Sequence, residues 1–413
     1  MSEPLRPLAI VLTPRTPWPL DDGGRIGLWQ TVWSAAQAFD TVLVTLFDPR
    51  IPSAPVPEEI ERLAIRVLRI PHRPPPLPLA AWRGVTGIWP FTLERYRSER
   101  MQREVLALAR SRERAFVFVN HLHLVPAVHG LSAVPWVLRE HNVEFSWMER
   151  LAAGYGQGPH GLYASYQAGR LRRAEARACR EAAVVLAVQP NEAKLLRSIA
   201  PAARIEHLPI GLDPSRYPDP RPETPPIVLI AGTYDWAPNV EGALRFLREG
   251  WGRLAARVPG LRLRVAGKNP PAILEETARA AGAEHVGYVE SMPREFSQAS
   301  LLLVPLWVGA GARVKIVEAL MARLPVVSTR LGAEGLGLEP GTHFAVGESS
   351  AELADAAAEL LENADRRVGM IARGRRHALE RFSLEAVARL QNNWCLEAVA
   401  SHVGRRTSLR PLH

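Results

Sequence analysis

The chain has 413 residues, of which 47% are hydrophobic and 23% are charged, and this composition excludes a wholly disordered protein. The length predicts more than one domain, because single cores stop growing at roughly 250–300 residues. The formal net charge is +9, yet only three of the 51 basic residues are lysines. We interpret this arginine excess, which is spread along the whole chain, as a compositional bias, and we expect no nucleic-acid partner.

Cysteine content and hydropathy indicate the cellular compartment. Cys179 and Cys395 are the only cysteines, too few for a disulfide framework. No apolar run approaches the roughly 18–20 residues of a membrane-spanning helix, and the first residues lack the pattern of a signal peptide. We therefore expect a cytoplasmic protein, which could also work at the inner face of the membrane.

Short apolar runs alternate with amphipathic helical patterns from one end of the chain to the other. This alternation predicts an α/β fold with two doubly wound parallel sheets, each in a Rossmann-like domain. The predicted strands of the first domain are 8–13, 41–47, 65–70, 116–120, 135–139 and 183–188, and those of the second are 226–232, 261–267, 301–306 and 325–329. The clearest predicted helices are 24–39, 240–258 and 350–364.

A proline-rich segment separates the two series of strands. Residues 208–227 contain seven prolines, a density that neither a helix nor a sheet interior tolerates. We predict an N-terminal Rossmann-like domain over 1–215 and a C-terminal Rossmann-like domain over 216–382. The remaining residues, 383–413, form a last helix and tail, and we expect that helix to pack back on the N-terminal domain.

The segment 71–91 does not follow this alternation. Five prolines stand in its first eight residues, and Trp82 and Trp89 follow among arginines. One interpretation is an irregular loop that covers the N-terminal core. The other is a basic and aromatic surface that meets an anionic membrane or an acceptor, because tryptophan and arginine suit such an interface.

The segment 301–329 carries the strongest chemical signal, a strand followed by a glycine turn, a helix and another strand. Glycines let backbone amides approach a ligand closely, and the helix start favours an anion. Arg313 and Lys315 lie near that helix start, where cations are unfavourable unless an anion such as a diphosphate compensates them. Glu318, three residues further on, could accept hydrogen bonds from ribose hydroxyls. The alternative is a surface helix with a weak Lys–Glu pair.

Residues 305–329 resemble the donor-site motif of the family-four glycosyltransferases, which have the GT-B fold of two Rossmann-like domains facing a cleft. In that motif a proline-ended strand leads to a glycine turn, E-A-M-A and P-V-V. Other segments resemble family motifs in the same order, and the last two resemble a subgroup linked to exopolysaccharide and lipid-carrier sugar transfer. These segments are TPRTPWPLDDGGRIG (13–27), VLREHNVE (137–144), AVQPNEAKLL (187–196), HLPIGLDPSRY (207–217), IAGTYDWAPNVEGALRFL (230–247) and LGAEGL (331–336).

The resemblance implies that the N-terminal domain is on the acceptor side and that the C-terminal domain binds the nucleotide sugar. It also implies a role for each matching position. The two glycines after Asp22 would form a tight loop facing the diphosphate and sugar, and the histidine that ends 137–141 would bond the donor sugar. The implied donor-binding residues are Gly23, Gly24, Arg25, Gly232, Thr233, Gly287, Tyr288, Gly309, Ala310, Gly311, Glu318 and Glu334. The implied catalytic residues are His141, Arg313 and Lys315.

The sequence departs from the family pattern at three places. Ala310 stands where many members have the first of two glutamates eight positions apart, so contacts to the donor sugar must come from elsewhere. TYDWAPN (233–239) lacks the usual arginine and lysine, and we infer that Arg313 and Lys315 take over the diphosphate charge. Ile210 replaces the usual asparagine, with no catalytic consequence that we can name.

The resulting prediction is a hexosyltransferase that moves sugar from a nucleotide sugar to a glycan or lipid-linked acceptor. The resemblance implies retention of anomeric configuration. The chain has no D-x-D pair, so we expect no metal and no cofactor, with charge on the leaving diphosphate stabilised by the protein.

Three other functions stay open from the sequence. A nicotinamide dehydrogenase is one, because GAGARV (309–314) is a partial G-x-G-x-x-G, although the third glycine and the acidic residue on the next strand are missing. A sugar-nucleotide epimerase shares the architecture. A catalytically altered GT-B nucleotide-binding protein is the third, and Ala310 favours it.

Overall fold

The computed structural model describes residues 6–20, 23–52, 54–131, 134–309 and 313–408, and it divides into two compact units. The first unit takes residues up to Gly211 and again from Val387, and the second takes Leu212–Ala386. Both limits stand four residues from the predicted ones, 215/216 and 382/383.

The first unit is built on a seven-stranded, fully parallel sheet in the order β3-β2-β1-β4-β5-β6-β7. The central strands are apolar and buried along their whole length, because helices cover both faces. The strands are β1 (Leu8–Thr13), β2 (Asp40–Phe47), β3 (Arg66–Pro71), β4 (Ala115–Asn120), β5 (Trp136–Glu140), β6 (Val184–Ala187) and β7 (Ile205–His207). The helices are α1 (Gly23–Ala38), α2 (Glu58–Arg62), α3 (Leu77–Thr86), α4 (Phe91–Glu94), α5 (Glu99–Arg110), α6 (Glu144–Tyr155), α7 (Pro159–Glu181) and α8 (Pro190–Ile199).

The second unit repeats the plan with a six-stranded parallel sheet in the order β10-β9-β8-β11-β12-β13. Its strands are β8 (Ile227–Thr233), β9 (Arg262–Lys268), β10 (Glu284–Gly287), β11 (Leu301–Val304), β12 (Val326–Ser328) and β13 (Ala345–Val346). Its helices are α9 (Ala237–Glu249), α10 (Trp251–Arg257), α11 (Ala272–Ala280), α12 (Met292–Gln298), α13 (Val314–Met321), α14 (Ser350–Glu362) and α15 (Ala364–Phe382). The prediction of two doubly wound parallel sheets is confirmed.

The final helix, α16 (Leu384–Ser408), completes the first unit. Gln391 donates to the carbonyl of Thr31 at 3.2 Å, and Asn392 donates to the carbonyl of Ser34 at 2.7 Å. Cys395 is fully buried in the same core. The expected packing of the last helix on the N-terminal domain is therefore confirmed.

Three local predictions are wrong. The predicted helix 240–258 breaks into α9 and α10 at Gly250, where a Cβ would lie 2.7 Å from the carbonyl oxygen of Ser350. The segment 71–91 is not wholly irregular, because it contains α3, with Pro78 in the first turn where proline is tolerated. Within that segment Trp82 is 63% exposed but Trp89 is only 9% exposed. Of the two tryptophans in the predicted basic and aromatic surface, only Trp82 is therefore exposed.

Candidate functional site

The carboxyl ends of parallel strands form the usual ligand edge of such a sheet, at the point where the strand order reverses. In the second unit this point lies between β8 and β11. Gly232 and Thr233 end β8, Gly309 follows β11, and α13 begins just beyond. The topology therefore brings these predicted residues to one edge of the sheet.

Lys315 is the most constrained of the predicted cations. Its Nζ donates to the carbonyl of Ala231 at 2.8 Å and to Oδ1 of Asn239 at 2.8 Å. Asn239 in turn donates to the carbonyl of Thr233 at 2.9 Å, and a Cβ on Gly232 would lie 2.9 Å from its Nδ2. Burial, together with the charge of Arg313, lowers the pKa of Lys315 to about 7. The ammonium is thus fixed at the end of β8 and is held near its titration point at neutral pH.

Arg313 immediately precedes α13 and is only 4% exposed. Its Nη2 donates to the carbonyl of Gly309 at 3.0 Å and to that of Leu331 at 3.2 Å, and the guanidinium lies 5.7 Å from the ring centre of Trp236. Burial lowers its pKa. This arginine ties the glycine turn to the loop after β12, and its contact with a diphosphate stays a prediction.

Glu318 lies on α13 one turn beyond the lysine. It accepts a hydrogen bond from the hydroxyl of Tyr217 at 3.2 Å, and burial raises its pKa to about 7. The same carboxylate, together with burial, raises the pKa of Tyr217. Its role as a ribose ligand stays a prediction, and the structure adds Tyr217 as the group that orients it. The motif around 207–217 contains this tyrosine, but nothing in the sequence indicates the pairing.

The remaining predicted residues of the second unit have different surroundings. Gly309 has a φ of +108°, and a Cβ there would lie 2.6 Å from Trp236, so only glycine fits. Tyr288, beside Gly287, is exposed, with the Nζ of Lys268 5.3 Å from its ring centre. Glu334 is exposed at the end of a short 3-10 helix. Ala310 and Gly311 lie outside the described residues.

In the first unit, His141 directly follows β5. Its ring stacks on that of His121 at 4.1 Å between centres, and a Cβ on Gly27 would lie 2.9 Å from its Cε1. Among the described residues its buried Nε2 has no hydrogen-bond partner. Burial and the neighbouring histidine lower its pKa well below the ordinary value, so the ring is neutral at pH 7. A neutral imidazole with an unused nitrogen can donate or accept one hydrogen bond.

The predicted glycine loop is not a loop in the structure. Gly23, Gly24 and Arg25 form the first turn of α1. That helix is anchored to β5 by the fully buried Arg139, whose Nη1 donates to the hydroxyl of Thr31 at 2.9 Å. The two glycines begin the helix, so their backbone N–H groups belong to its first turn, where N–H groups have no acceptor within the helix.

The end of β5 also gathers carboxylates that the sequence does not single out. Glu175 on α7 accepts the backbone N–H groups of Glu144 and Phe145, both at 3.1 Å, and so caps α6. Burial and neighbouring carboxylates raise the pKa values of both Glu175 and Glu140. Oε1 of Glu140 has no partner among the described residues. These polar groups surround the histidines after β4 and β5.

Comparisons with known proteins agree with this architecture. A family model described as "Glycosyl transferases group 1" matches residues 225–363. No curated protein matches the chain. Among the described residues, none of the helices has the length and apolarity to cross a membrane.

Solved structures similar to this chain share its fold at low identity. HepE of Anabaena, determined with UDP and glucose, is 15% identical, covers 95% of this chain and 100% of its own, with a TM-score of 0.59. Sucrose-phosphate synthase of Thermosynechococcus elongatus is 16% identical, and the match covers 96% of this chain and 100% of the synthase, with a TM-score of 0.63. A glycosyltransferase of Rickettsia africae is 10% identical, and the match covers 96% of this chain and 99% of that protein, with a TM-score of 0.61. The fold is that of the two-domain GT-B proteins, and the family match covers the second unit from β8 to α14.

Proposed function

We propose that the protein moves a hexose from a nucleotide sugar to a glycan or lipid-linked acceptor. The observation that carries this proposal is the buried ammonium of Lys315 at the reversal point of the second sheet, inside the segment that matches group 1 glycosyltransferases. The partners that its Nζ has among the described residues are a carbonyl oxygen and an amide oxygen, and neither is a carboxylate. A buried cation that lacks an ion-pair partner favours an anionic ligand.

The chemistry proposed for the donor follows from these charges. Transfer requires stabilisation of the departing diphosphate and of an oxocarbenium-like centre. Lys315, Arg313 and the start of α13 would supply the first, without a metal at the diphosphate. Glu318 would accept the ribose hydroxyls, and the neutral ring of His141 would bond the sugar. We further propose retention of configuration, as the family-four resemblance implies.

The proposed donor to test first is UDP-glucose. HepE of Anabaena, of the same fold, was determined with this nucleotide sugar. The proposal carries that donor to the present chain because Lys315 and Glu318 lie at the strand edge where such folds bind nucleotides.

For the acceptor we propose an anionic, lipid-linked sugar met at the inner face of a membrane, in exopolysaccharide biosynthesis. A pocket of the first unit is lined by Trp82, Arg73 and Arg83, together with Arg97, which already forms ion pairs with the lining carboxylates Glu94 and Glu99. Beside it, α3 and the residues after it expose apolar side chains, among them Trp82 at 63% and Ile88 at 72%. Guanidinium groups suit phosphate oxygens, and an exposed tryptophan suits the headgroup region.

Donor hydrolysis tests the transfer reaction directly. The purified chain is incubated with UDP-, GDP- and dTDP-sugars, and released nucleoside diphosphate is measured, with a thermal-shift panel of the same nucleotides in parallel. We expect UDP-glucose to raise the melting temperature and to be hydrolysed slowly without acceptor. If no nucleotide raises the melting temperature and Lys315→Ala changes nothing, the proposed activity is wrong.

Vesicle sedimentation tests the membrane surface. We expect binding to vesicles with anionic lipid and little binding to zwitterionic vesicles. Joint Trp82→Ser and Ile88→Ser substitution should remove it, whereas Trp147→Ser, which alters another half-exposed tryptophan of the same unit, should not. Equal binding of all three proteins would contradict this surface.

A further inference from the structure

Four aromatic rings lie in one column at the carboxyl edge of the first sheet. Tyr96 stacks on His123 with centres 4.8 Å apart, His123 on His121 at 5.6 Å, and His121 on His141 at 4.1 Å. The two planes of each of the first two pairs lie within 7° of parallel. Because their nitrogens lie at ring edges, stacked rings leave those nitrogens free to face a common neighbour.

That common neighbour is Glu144, the first residue of α6. Its Oε2 lies 3.5 Å from Nε2 of His123. One ligand atom from each of His121, His123 and Glu144 can be chosen so that all three atoms lie within 4.8 Å of one another. The three residues come from the turn after β4 and from the start of α6, so the topology, and not a sequence motif, assembles them.

Two further observations distinguish this cluster from a surface group of polar residues. The Nε2 of His123 is buried and has no hydrogen-bond partner among the described residues, an arrangement that costs free energy unless something binds it. The backbone of the cluster is also held in place. His121 adopts a φ of +75°, unusual for a residue with a side chain, and Glu175 fixes the start of α6 through the amides of Glu144 and Phe145.

We propose that His121, His123 and Glu144 form a binding site for a divalent transition-metal ion of the zinc type. Two imidazole nitrogens and one carboxylate are ligands that zinc, cobalt and nickel ions accept, whereas magnesium and calcium prefer oxygen ligands throughout. With ligand bonds of about 2.0–2.2 Å, neighbouring ligand atoms stand roughly 3.3 Å apart. The His123–Glu144 pair, at 3.5 Å, is already near that separation, and the ligand atom of His121 lies within 4.8 Å of both partners.

Three protein ligands leave a position for water or for an oxygen of another molecule. The ion would also fix the ring of His121, on which His141 stacks, and so would restrict the orientation of the predicted sugar ligand. The effect on the orientation of His141 rests on the proposed function, but the metal site itself does not. All three proposed ligands belong to the first unit.

Metal content and cobalt spectroscopy test the site without any activity measurement. The full chain is stripped with a chelator, dialysed against zinc and assayed for bound ion, and the stripped chain is titrated with Co²⁺ while its visible absorption is followed. We expect one ion per chain. We expect His123→Ala and Glu144→Gln each to weaken binding at least tenfold, because even second-shell changes cost roughly 10–100-fold.

His160→Ala is the matched control, because His160 is an exposed histidine of the same unit. It should leave binding unchanged. Circular dichroism and melting of the metal-free proteins verify that each variant is folded, and a zinc-dependent rise in the melting temperature of the unaltered chain gives a second measure. Absence of a retained ion, or an ion that persists in both ligand variants, overturns the proposal. UDP-glucose binding is measured separately, so failure of the metal site and failure of the transfer activity remain distinguishable.

Discussion

The two sheets end in edges of opposite character, although both follow the same parallel plan. At the edge of the second sheet, Lys315 and Glu318 already have partners: Lys315 bonds a carbonyl of β8 and Asn239, and Glu318 accepts from Tyr217. Arg313 is bonded through Nη2, and its buried Nε has no partner among the described residues. At the edge of the first sheet, polar atoms of His123 and His141 are buried with no hydrogen-bond partner among the described residues. One edge is organised before any ligand arrives, and the other retains unused hydrogen-bonding capacity.

This difference predicts different consequences of mutation. An edge whose groups are already oriented contributes binding energy, because little ordering cost remains when the donor binds. An edge with unused polar atoms gains its interactions only when a reacting group or an ion reaches it. We therefore expect substitutions in the second unit to act mainly on donor affinity, and substitutions around His141 to act mainly on turnover.

The largest expected effect is that of Lys315→Met on donor affinity. Hydrogen bonds to charged groups contribute about 1.5–3 kcal/mol, so UDP-glucose affinity should fall about 100-fold. Isothermal titration calorimetry measures this change. Lys194→Met, which removes an exposed lysine of the first unit, is the control and should have no effect. An unchanged affinity in the Lys315 variant would remove the second edge from donor binding.

Gly27→Ala examines the first edge through a single methyl group. The added Cβ would lie 2.9 Å from Cε1 of His141 and must displace the ring. Misplacement by about 1 Å can cost 100-fold, so we expect kcat to fall about tenfold at nearly constant KM. Gly169→Ala on α7, where a Cβ meets nothing within 4 Å, should keep full activity and gain about 0.5–1 kcal/mol of stability. A rise in KM without a change in kcat would contradict the assignment of His141 to turnover.

The pH dependence of donor affinity reports the ionisation of Lys315 and Glu318 at the edge of the second sheet. The pKa of Lys315 is lowered to about 7 and that of Glu318 is raised to about 7, so both groups titrate near neutrality. As the pH falls below 7 the carboxylate becomes protonated and loses its acceptor role, and as the pH rises above 7 the ammonium loses its charge. UDP-glucose affinity should therefore peak near pH 7 and fall about fivefold towards pH 5 and pH 9, which corresponds to about 1 kcal/mol, the net contribution of a typical hydrogen bond.

Two variants separate the limbs of this profile, as measured by calorimetry across the same pH range. Glu318→Gln should flatten the acid limb, and Lys315→Met should flatten the alkaline limb. A profile that keeps both limbs in both variants would mean that other groups control the titration.

The smallest expected effect is that of Tyr217→Phe. Its hydroxyl donates to Glu318 and lowers the pKa of that carboxylate against the effect of burial. Loss of one such hydrogen bond, about 0.5–1.5 kcal/mol, should reduce UDP-glucose affinity about threefold at pH 7 and move the acid limb to higher pH. Thermal-shift titration at two pH values measures both changes. An acid limb that stays in place would show that Tyr217 does not tune Glu318.

Periodicity was sufficient to predict ten of the thirteen strands that the structure describes, because buried parallel strands are apolar runs whatever their tertiary partners. It missed the short strands β7, β10 and β13, which lie at the edges of the two sheets. It was insufficient at Gly250, where contacts with another helix divide one helical pattern into two. Lys315 and Glu318 could be named from the motif around the glycine turn, and Gly232 from the motif at 230–247. Their hydrogen-bond partners could not, because Asn239 and Tyr217 are separated from them by about 76 and 101 positions in the chain.

The histidine cluster shows the same limit in another form. His121 and His123 stand two positions apart, but Glu144 joins them only through the adjacency of β4 and β5. No spacing rule for metal ligands would connect them from sequence alone. The burial of Trp89 was not predicted for a similar reason: its ring packs against His129, which is distant in the sequence.

The division of the chain has a consequence for biosynthesis. The second unit is inserted between β7 and the last helix of the first, whose core includes Val387, Cys395 and Val399 from α16. A growing polypeptide therefore exposes an incomplete first core throughout synthesis of the second unit. The second unit can close its own core as soon as it has emerged, whereas the first must wait for the last helix. Truncation before residue 387 should accordingly damage the half of the protein that is made first.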